Sequence, residues 1–236
     1  MVLVRLDFGY DADYHIKEAL MKIPDYSVAV FVRDIEFHCS PLLPGFRSAR
    51  IIEGFLDVLD ADLGGDVAEF GIAGGHTLRA LATHLDNIES KKLAWGFDCF
   101  EGLPALTAED GPAPPHNKGA ILSTSCIGWY KGTVDQVEAH LGALENYRLV
   151  DGLIQDTGPI FAHKLCFAHI NTDLYAGCWA SLLVCGREMV KGGKIVVSGY
   201  RTHWQGMSRA VDKFLNENPY WHTDAEEWCV TLTRKK

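Results

Sequence analysis

The sequence predicts an α/β fold: a three-layer, doubly wound sheet that is mostly parallel and closes with an antiparallel C-terminal strand. Three observations carry this. Short apolar runs alternate with stretches of helical periodicity from residue 66 onward, the pattern of repeated strand–helix units. The first such run ends in a glycine-rich turn at Gly71, Gly74 and Gly75. Two apolar segments, 220–223 and 228–233, then follow one another without a helix and read as a closing antiparallel pair.

Each element has its own signal. From Ser48 to Asp62, Ile51, Ile52, Phe55, Leu56 and Leu59 recur at helical spacing behind a serine suited to an N-cap, and Gly64 and Gly65 stop the run. A strand over 66–72, a helix over 76–85 and a strand over 93–98 come next. Residues 102–127 hold Pro104, Pro112, Pro114 and Pro115 and predict a long loop, which inside a compact domain is usually functional. A helix over 133–144 follows, with Val134, Val137 and Leu141 on one face. Strands over 147–150 and 165–170 precede a helix over 176–190 closed by Gly192 and Gly193, a fifth strand over 195–197 and a helix over 207–215. Residues 1–47 mix charges, aromatics and prolines, and read as a cap or lid on a main domain spanning 48–236.

Composition bounds the function. With 236 residues, 47% of them hydrophobic, the chain can bury a sizeable core without disulfides. Lys plus Arg number 22 against 31 Asp plus Glu, a net charge of -9. Nucleic acids and anionic membrane surfaces both need a basic footprint, so a small neutral or cationic partner fits better. The 7 cysteines form no C-x-x-C pair and read as reduced, mostly buried thiols of a cytoplasmic protein. No apolar run approaches the roughly 20 residues of a membrane span, and the N-terminus lacks a signal-peptide pattern.

In doubly wound sheets, ligands bind beyond the carboxyl ends of the strands, so strand-end residues matter most. Glu69 ends the first strand and can accept hydrogen bonds from a cationic or hydroxylated ligand. Gly71, Gly74 and Gly75 let the backbone approach that ligand, and the helix opening at His76 and Thr77 offers free N–H groups to a carboxylate or phosphate. Dinucleotide binders want G-x-G-x-x-G, whereas this loop has G-x-x-G-G. S-adenosylmethionine carries an amino group, a carboxylate and a sulfonium, for which an acidic strand end is an asset. Asp98 ends the second strand, where a carboxylate can take both hydroxyls of a ribose. A glycine-rich turn without any ligand is the plain alternative; with Asp98 the pattern favours an adenosyl cofactor.

Four motifs in order resemble the macrocin O-methyltransferase family, over roughly Glu69 to Leu215. They are Glu69-Phe-Gly-Ile-Ala-Gly-Gly75, Gly96-Phe-Asp-Cys-Phe-Glu-Gly-Leu-Pro104 against the family's GFDSFEGLP, Ala168-His-Ile-Asn-Thr-Asp-Leu-Tyr175 against LHIDxDLY, and Arg209-Ala-Val-Asp-Lys-Phe214 against RAVDEF. The resemblance implies a Rossmann-like methyltransferase sheet and S-adenosylmethionine-dependent methylation of a hydroxyl on a sugar or other natural product. It also implies a homodimer, with Glu69 and the glycine loop at the methionine end of the cofactor, His76 and Thr77 near its carboxylate, and Asp98 on the ribose.

One departure bears on chemistry. The family places acidic residues after the fifth strand, as in DDYG, where they join the fourth-strand Asp to hold a divalent metal. Here Asp173 is present, but the fifth strand ends Val197-Ser-Gly-Tyr-Arg201, with Ser198 and Gly199 at those positions. Mg²⁺ favours carboxylate oxygen, so no tight metal site is expected. A base must then come from side chains. Asp173, at a strand end, is the first candidate to orient or deprotonate the acceptor, against the plainer role of a helix-start carboxylate. His203, after the fifth strand, is the second, against that of a surface histidine. His116 sits in the proline-rich loop, while His169 inside the fourth strand reads as a hydrogen-bonded core residue. Trp129, Tyr130, Trp179 and Trp204 are candidates for an acceptor pocket, although such aromatics more often simply fill cores. Two rival readings stay open on the residues alone: a cofactor-binding protein with weak or no methyl transfer, and a nicotinamide-dependent oxidoreductase.

Overall fold

A computed structural model describes residues 45–111, 126–202, 204–226 and 228–235. Five strands run parallel: β1 (Asp66–Phe70), β2 (Ala94–Asp98), β3 (Tyr147–Asp151), β4 (Leu165–Ile170) and β5 (Met189–Ser198). β6 (Trp221–Glu226) and β7 (Cys229–Arg234) form the antiparallel pair, and β7 pairs with β5, so the 7-stranded order is β3-β2-β1-β4-β5-β7-β6. The order reverses between β1 and β4, which leaves a crevice at their carboxyl ends.

Strand alternation sorts the core into two layers. In β1, Val67 faces one helical layer while Ala68 and Phe70 face the other. On the first face lie α1 (Gly45–Asp60), α2 (His76–Asn87) and α3 (Val134–Leu141). The stripe Ile51, Ile52, Phe55 and Val58 of α1 packs over β4 and β5, with the Phe55 ring meeting Phe167 edge-on at 5.6 Å. Burying one such side chain contributes about 1.5–3 kcal/mol. Thr133 opens α3 with a capping box: its hydroxyl accepts the Gln136 N–H at 3.2 Å, and the Gln136 side chain accepts the Thr133 N–H at 3.1 Å. On the opposite face α5 (Tyr175–Glu188) and α6 (Gln205–Glu217) pack side by side, sealing Leu182, Cys185, Val211 and Phe214 against the sheet.

Three boundaries differ from those expected. α1 begins at Gly45, so Ser48 lies inside the helix and is not its N-cap. α5 ends at Glu188, and Gly192 and Gly193 lie within β5 instead of closing a helix. The partners of Leu165 and Phe167 are Met189 and Lys194, so the glycines serve a bulge in the β4–β5 pairing. A short helix, α4 (Ile154–Thr157), and a 3₁₀ turn over Gly158–Ile160 follow β3 where no element is expected, because runs so short show no periodicity. Among the described residues no helix is long and apolar enough to cross a membrane. The 6 described cysteines are free and, apart from Cys99, buried. The expected cap over residues 1–47 falls almost entirely outside the described residues.

Candidate active site

The chain leaves β1 by turning sharply at Gly71, whose φ is 81°. A Cβ there would sit 2.5 Å from the Asn171 carbonyl oxygen, so only glycine lets the ends of β1 and β4 come this close. Two residues on, the Ala73 N–H donates to Asp98 Oδ2 at 2.9 Å, and the Phe100 N–H donates to Oδ1 at 2.9 Å. Asp98 is thereby locked at the end of β2. Each carboxylate oxygen keeps a further acceptor direction for a ligand.

A cavity of about 600 Å³ opens over the carboxyl ends of the parallel strands, within the size range of small-molecule sites. On the β2–β3 side its wall is Asp98, Cys99, Leu153, Ile154 and Gln155. Gly71, Ala73 and Gly74 form the middle. On the β4–β5 side lie Asn171, Thr172, Asp173, Gly199 and Thr202, and Trp129, Tyr130, Trp204 and Trp228 add aromatic surface. The Trp129 and Trp204 rings meet edge to face at 6.3 Å.

The structure thus brings Gly71, Gly74, Asp98 and Asp173 together around one space. Glu69, Gly75, His76 and Thr77 are not among the residues lining it. Glu69 is only 3% exposed, and its Oε1 lies 3.0 Å from His169 Nδ1. Burial pushes its carboxyl up, against the pull of His169, the Thr77 hydroxyl and the Leu78 N–H. Its place is behind the loop, at the start of α2. His76 Nδ1 lies 3.0 Å from His140 Nε2, which ties the start of α2 to α3. His169 is a core residue, as expected, fully buried with both ring nitrogens partnered. Trp179 lies away from the cavity, stacked with Tyr175 beneath the Lys213 ammonium. His203 and His116 lie outside the described residues.

Asp173 has φ 60°, the left-handed region that Asp tolerates better than most residues. Burial and then the Asp173 charge push the Tyr130 phenol up, so it stays protonated, and both residues line the cavity. The loop carrying Asp173 is held by a residue that the sequence did not single out. Asp110 is 4% exposed; its Oδ1 accepts the Tyr175 N–H at 2.6 Å, and its Oδ2 accepts from the Thr107 N–H and hydroxyl at 2.8 and 2.9 Å. An anion at the first N–H of α5 also suits the helix dipole.

The donor set does not fit a hard divalent cation. Ser198 is fully buried, with its Oγ 2.9 Å from His169 Nε2, and Gly199 offers no side chain. Asn171, at the first Asp of the family's LHIDxDLY pattern, carries a neutral amide. Of these three positions and Asp173, only Asp173 supplies carboxylate oxygen. Among the described residues no three His, Cys, Asp or Glu side chains cluster as metal ligands.

Sheet order, switch point and cavity together define a class I methyltransferase architecture. Macrocin-O-methyltransferase (TylF) is the family whose model matches residues 46–225, and the chain belongs to that family of S-adenosylmethionine-dependent O-methyltransferases. Similar solved structures include the O-methyltransferase NovP, at 22% identity and TM-score 0.67 over 79% of this chain and 78% of that one. CalS11, a TDP-rhamnose 3'-O-methyltransferase of calicheamicin biosynthesis, is 18% identical with TM-score 0.52 over 88% and 92% of the two chains. The SAH-bound methyltransferase PaMTH1 of Podospora anserina is 11% identical with TM-score 0.55, over 100% of both chains. No curated protein matches the chain significantly.

Several lining residues escaped the sequence reading. Leu153, Ile154 and Gln155 follow β3 in a segment without periodicity, and Trp228 reaches the cavity from the turn between β6 and β7. The one usable signal was position: a segment directly after a parallel strand borders the ligand crevice.

Proposed function

We propose that this chain methylates a hydroxyl of a small polar acceptor, a sugar or a glycosylated natural product, and does so without a tightly held divalent metal. The observation that carries this reading is that one continuous cavity joins the Asp98 end to Asp173 and the tryptophans. Gly71, Ala73 and Gly74 would receive the amino-acid end of S-adenosylmethionine, Asp98 its ribose, and Leu153, Ile154 and Gln155 its adenine. Asp98 supports this assignment, because its two backbone hydrogen bonds fix it while leaving acceptor directions toward the cavity.

S-adenosylmethionine supplies, when bound, an electrophilic methyl carbon on a sulfonium. The protein's task is then to hold an acceptor oxygen in line and draw off its proton. Asp173 is suited to accept that hydrogen, while Tyr130 stays protonated and can donate to a neighbouring acceptor oxygen. Trp129, Trp204 and Trp228 offer flat apolar faces to the C–H surfaces of a sugar ring and exclude water from the reacting pair. Proximity of this kind carries much of the rate in group transfer.

The test is release of S-adenosylhomocysteine with a panel of nucleotide-linked deoxysugars and glycosides, each run with and without EDTA. Acceptor-dependent release that EDTA leaves unchanged is expected. Loss of release in EDTA contradicts the metal-independent reading, and no release across the panel contradicts the acceptor class.

A further inference from the structure

Behind the cavity wall, three side chains from adjacent strands form one buried polar chain. Glu69 is the penultimate residue of β1, His169 lies in β4 and Ser198 ends β5. Glu69 Oε1 is 3.0 Å from His169 Nδ1, and His169 Nε2 is 2.9 Å from Ser198 Oγ. His169 and Ser198 are 0% exposed and Glu69 is 3% exposed, so none of the three touches a substrate. They continue the rows that begin with the apolar Val67, Phe167 and Val196, on the face covered by α1 and α2. At these positions apolar residues would pack without any need for partners. The chain instead places an acid, an imidazole and a hydroxyl there, with the imidazole hydrogen-bonded on both sides.

Both ends abut the cavity. Glu69 precedes Gly71 in the cofactor loop and interacts with Thr77 and Leu78 at the start of α2. Ser198 precedes Gly199, which lines the cavity and whose N–H donates to the Trp228 carbonyl at 2.8 Å. We infer that Glu69, His169 and Ser198 act as a positioning network that couples the cofactor loop to the acceptor wall. Ser198 at the end of β5 is then a positioning residue, held away from the cavity by its hydrogen bond to His169. A hydroxyl on the acceptor side helps to set the loop that holds the cofactor two strands away.

The inference rests on the reading that the Gly71–Gly75 loop receives the cofactor, and S-adenosylhomocysteine is the probe. Its affinity is measured by calorimetry for the wild type, Ser198→Ala, Ser198→Thr and Val196→Ala, with thermal unfolding recorded for each. Val196 lies two residues before Ser198 on the same buried face, so its truncation controls for a general loss of packing. Ser198→Ala is expected to weaken binding about fivefold or more, Ser198→Thr to recover most of that loss, and Val196→Ala to bind like the wild type despite a lower unfolding temperature. Equal affinity of Ser198→Ala and wild type, or equal weakening by Val196→Ala, overturns the network. Failure of the wild type itself to bind the probe overturns the cofactor-loop reading instead.

Discussion

The Asp98 carboxylate holds the Ala73 N–H at 2.9 Å, so the acid that ends β2 also shapes the glycine loop that leaves β1. One side chain therefore serves two parts of the cofactor site. Asp98→Ala removes a charge-assisted hydrogen bond to the loop together with the ribose contact. Affinity for S-adenosylhomocysteine is expected to fall by about 1.5–3 kcal/mol, roughly 10- to 150-fold, by calorimetry. An affinity within twofold of wild type contradicts the ribose role.

Asp173 is separable from cofactor binding. Asp173→Asn keeps the size and tolerates φ 60° but cannot take up a proton. The turnover rate with a working acceptor is expected to drop about 100-fold or more, with cofactor affinity nearly unchanged. Steady-state kinetics alongside calorimetry checks both halves.

Asp110 seats the start of α5, and through it the Asp173 loop. Asp110→Ala leaves the Tyr175 N–H without its acceptor, a loss of about 1–2 kcal/mol by analogy with helix capping. Gly206→Ala tests the same contact from the other side, because its Cβ would sit 2.0 Å from Asp110 Oδ1 and 2.8 Å from the Tyr175 nitrogen. Both variants are expected to unfold at lower temperature in a thermal melt, by about 2–4 °C for each kcal/mol lost.

Glu69 makes stability depend on pH in a definite sense. Burial raises its folded pKa above the unfolded value, so the folded state favours the protonated form. The resulting stabilisation is fully present below the ordinary glutamate pKa and is lost as pH rises through the raised folded value. Denaturant unfolding of the wild type and Glu69→Gln across that window is expected to show the stability difference moving against the wild type as pH increases. A difference independent of pH contradicts the raised pKa.

The fold was legible because its signals are local and repeated. Val67, Ala68 and Phe70 in β1, or Ile51, Ile52 and Phe55 in α1, announce a buried strand and an amphipathic helix through spacing alone. The segment after β3 was not legible, since four residues of helix carry no period, and Gly192 and Gly193 looked like a helix stop because a bulge uses the same residues. For the site, strand-end positions marked Asp98 and Asp173, which do line the cavity. They could not show that Glu69 turns inward to His169, nor that Asp110 reaches across to Tyr175, because each depends on a partner 100 or 65 residues away.

A crystal structure with S-adenosylhomocysteine tests the central claim most directly. The ribose hydroxyls are expected within hydrogen-bonding distance of Asp98, with the adenine against Leu153 to Gln155 and the sulfur facing Asp173 across open space. The product bound elsewhere, or lying in the cavity with its ribose away from Asp98, would contradict the account.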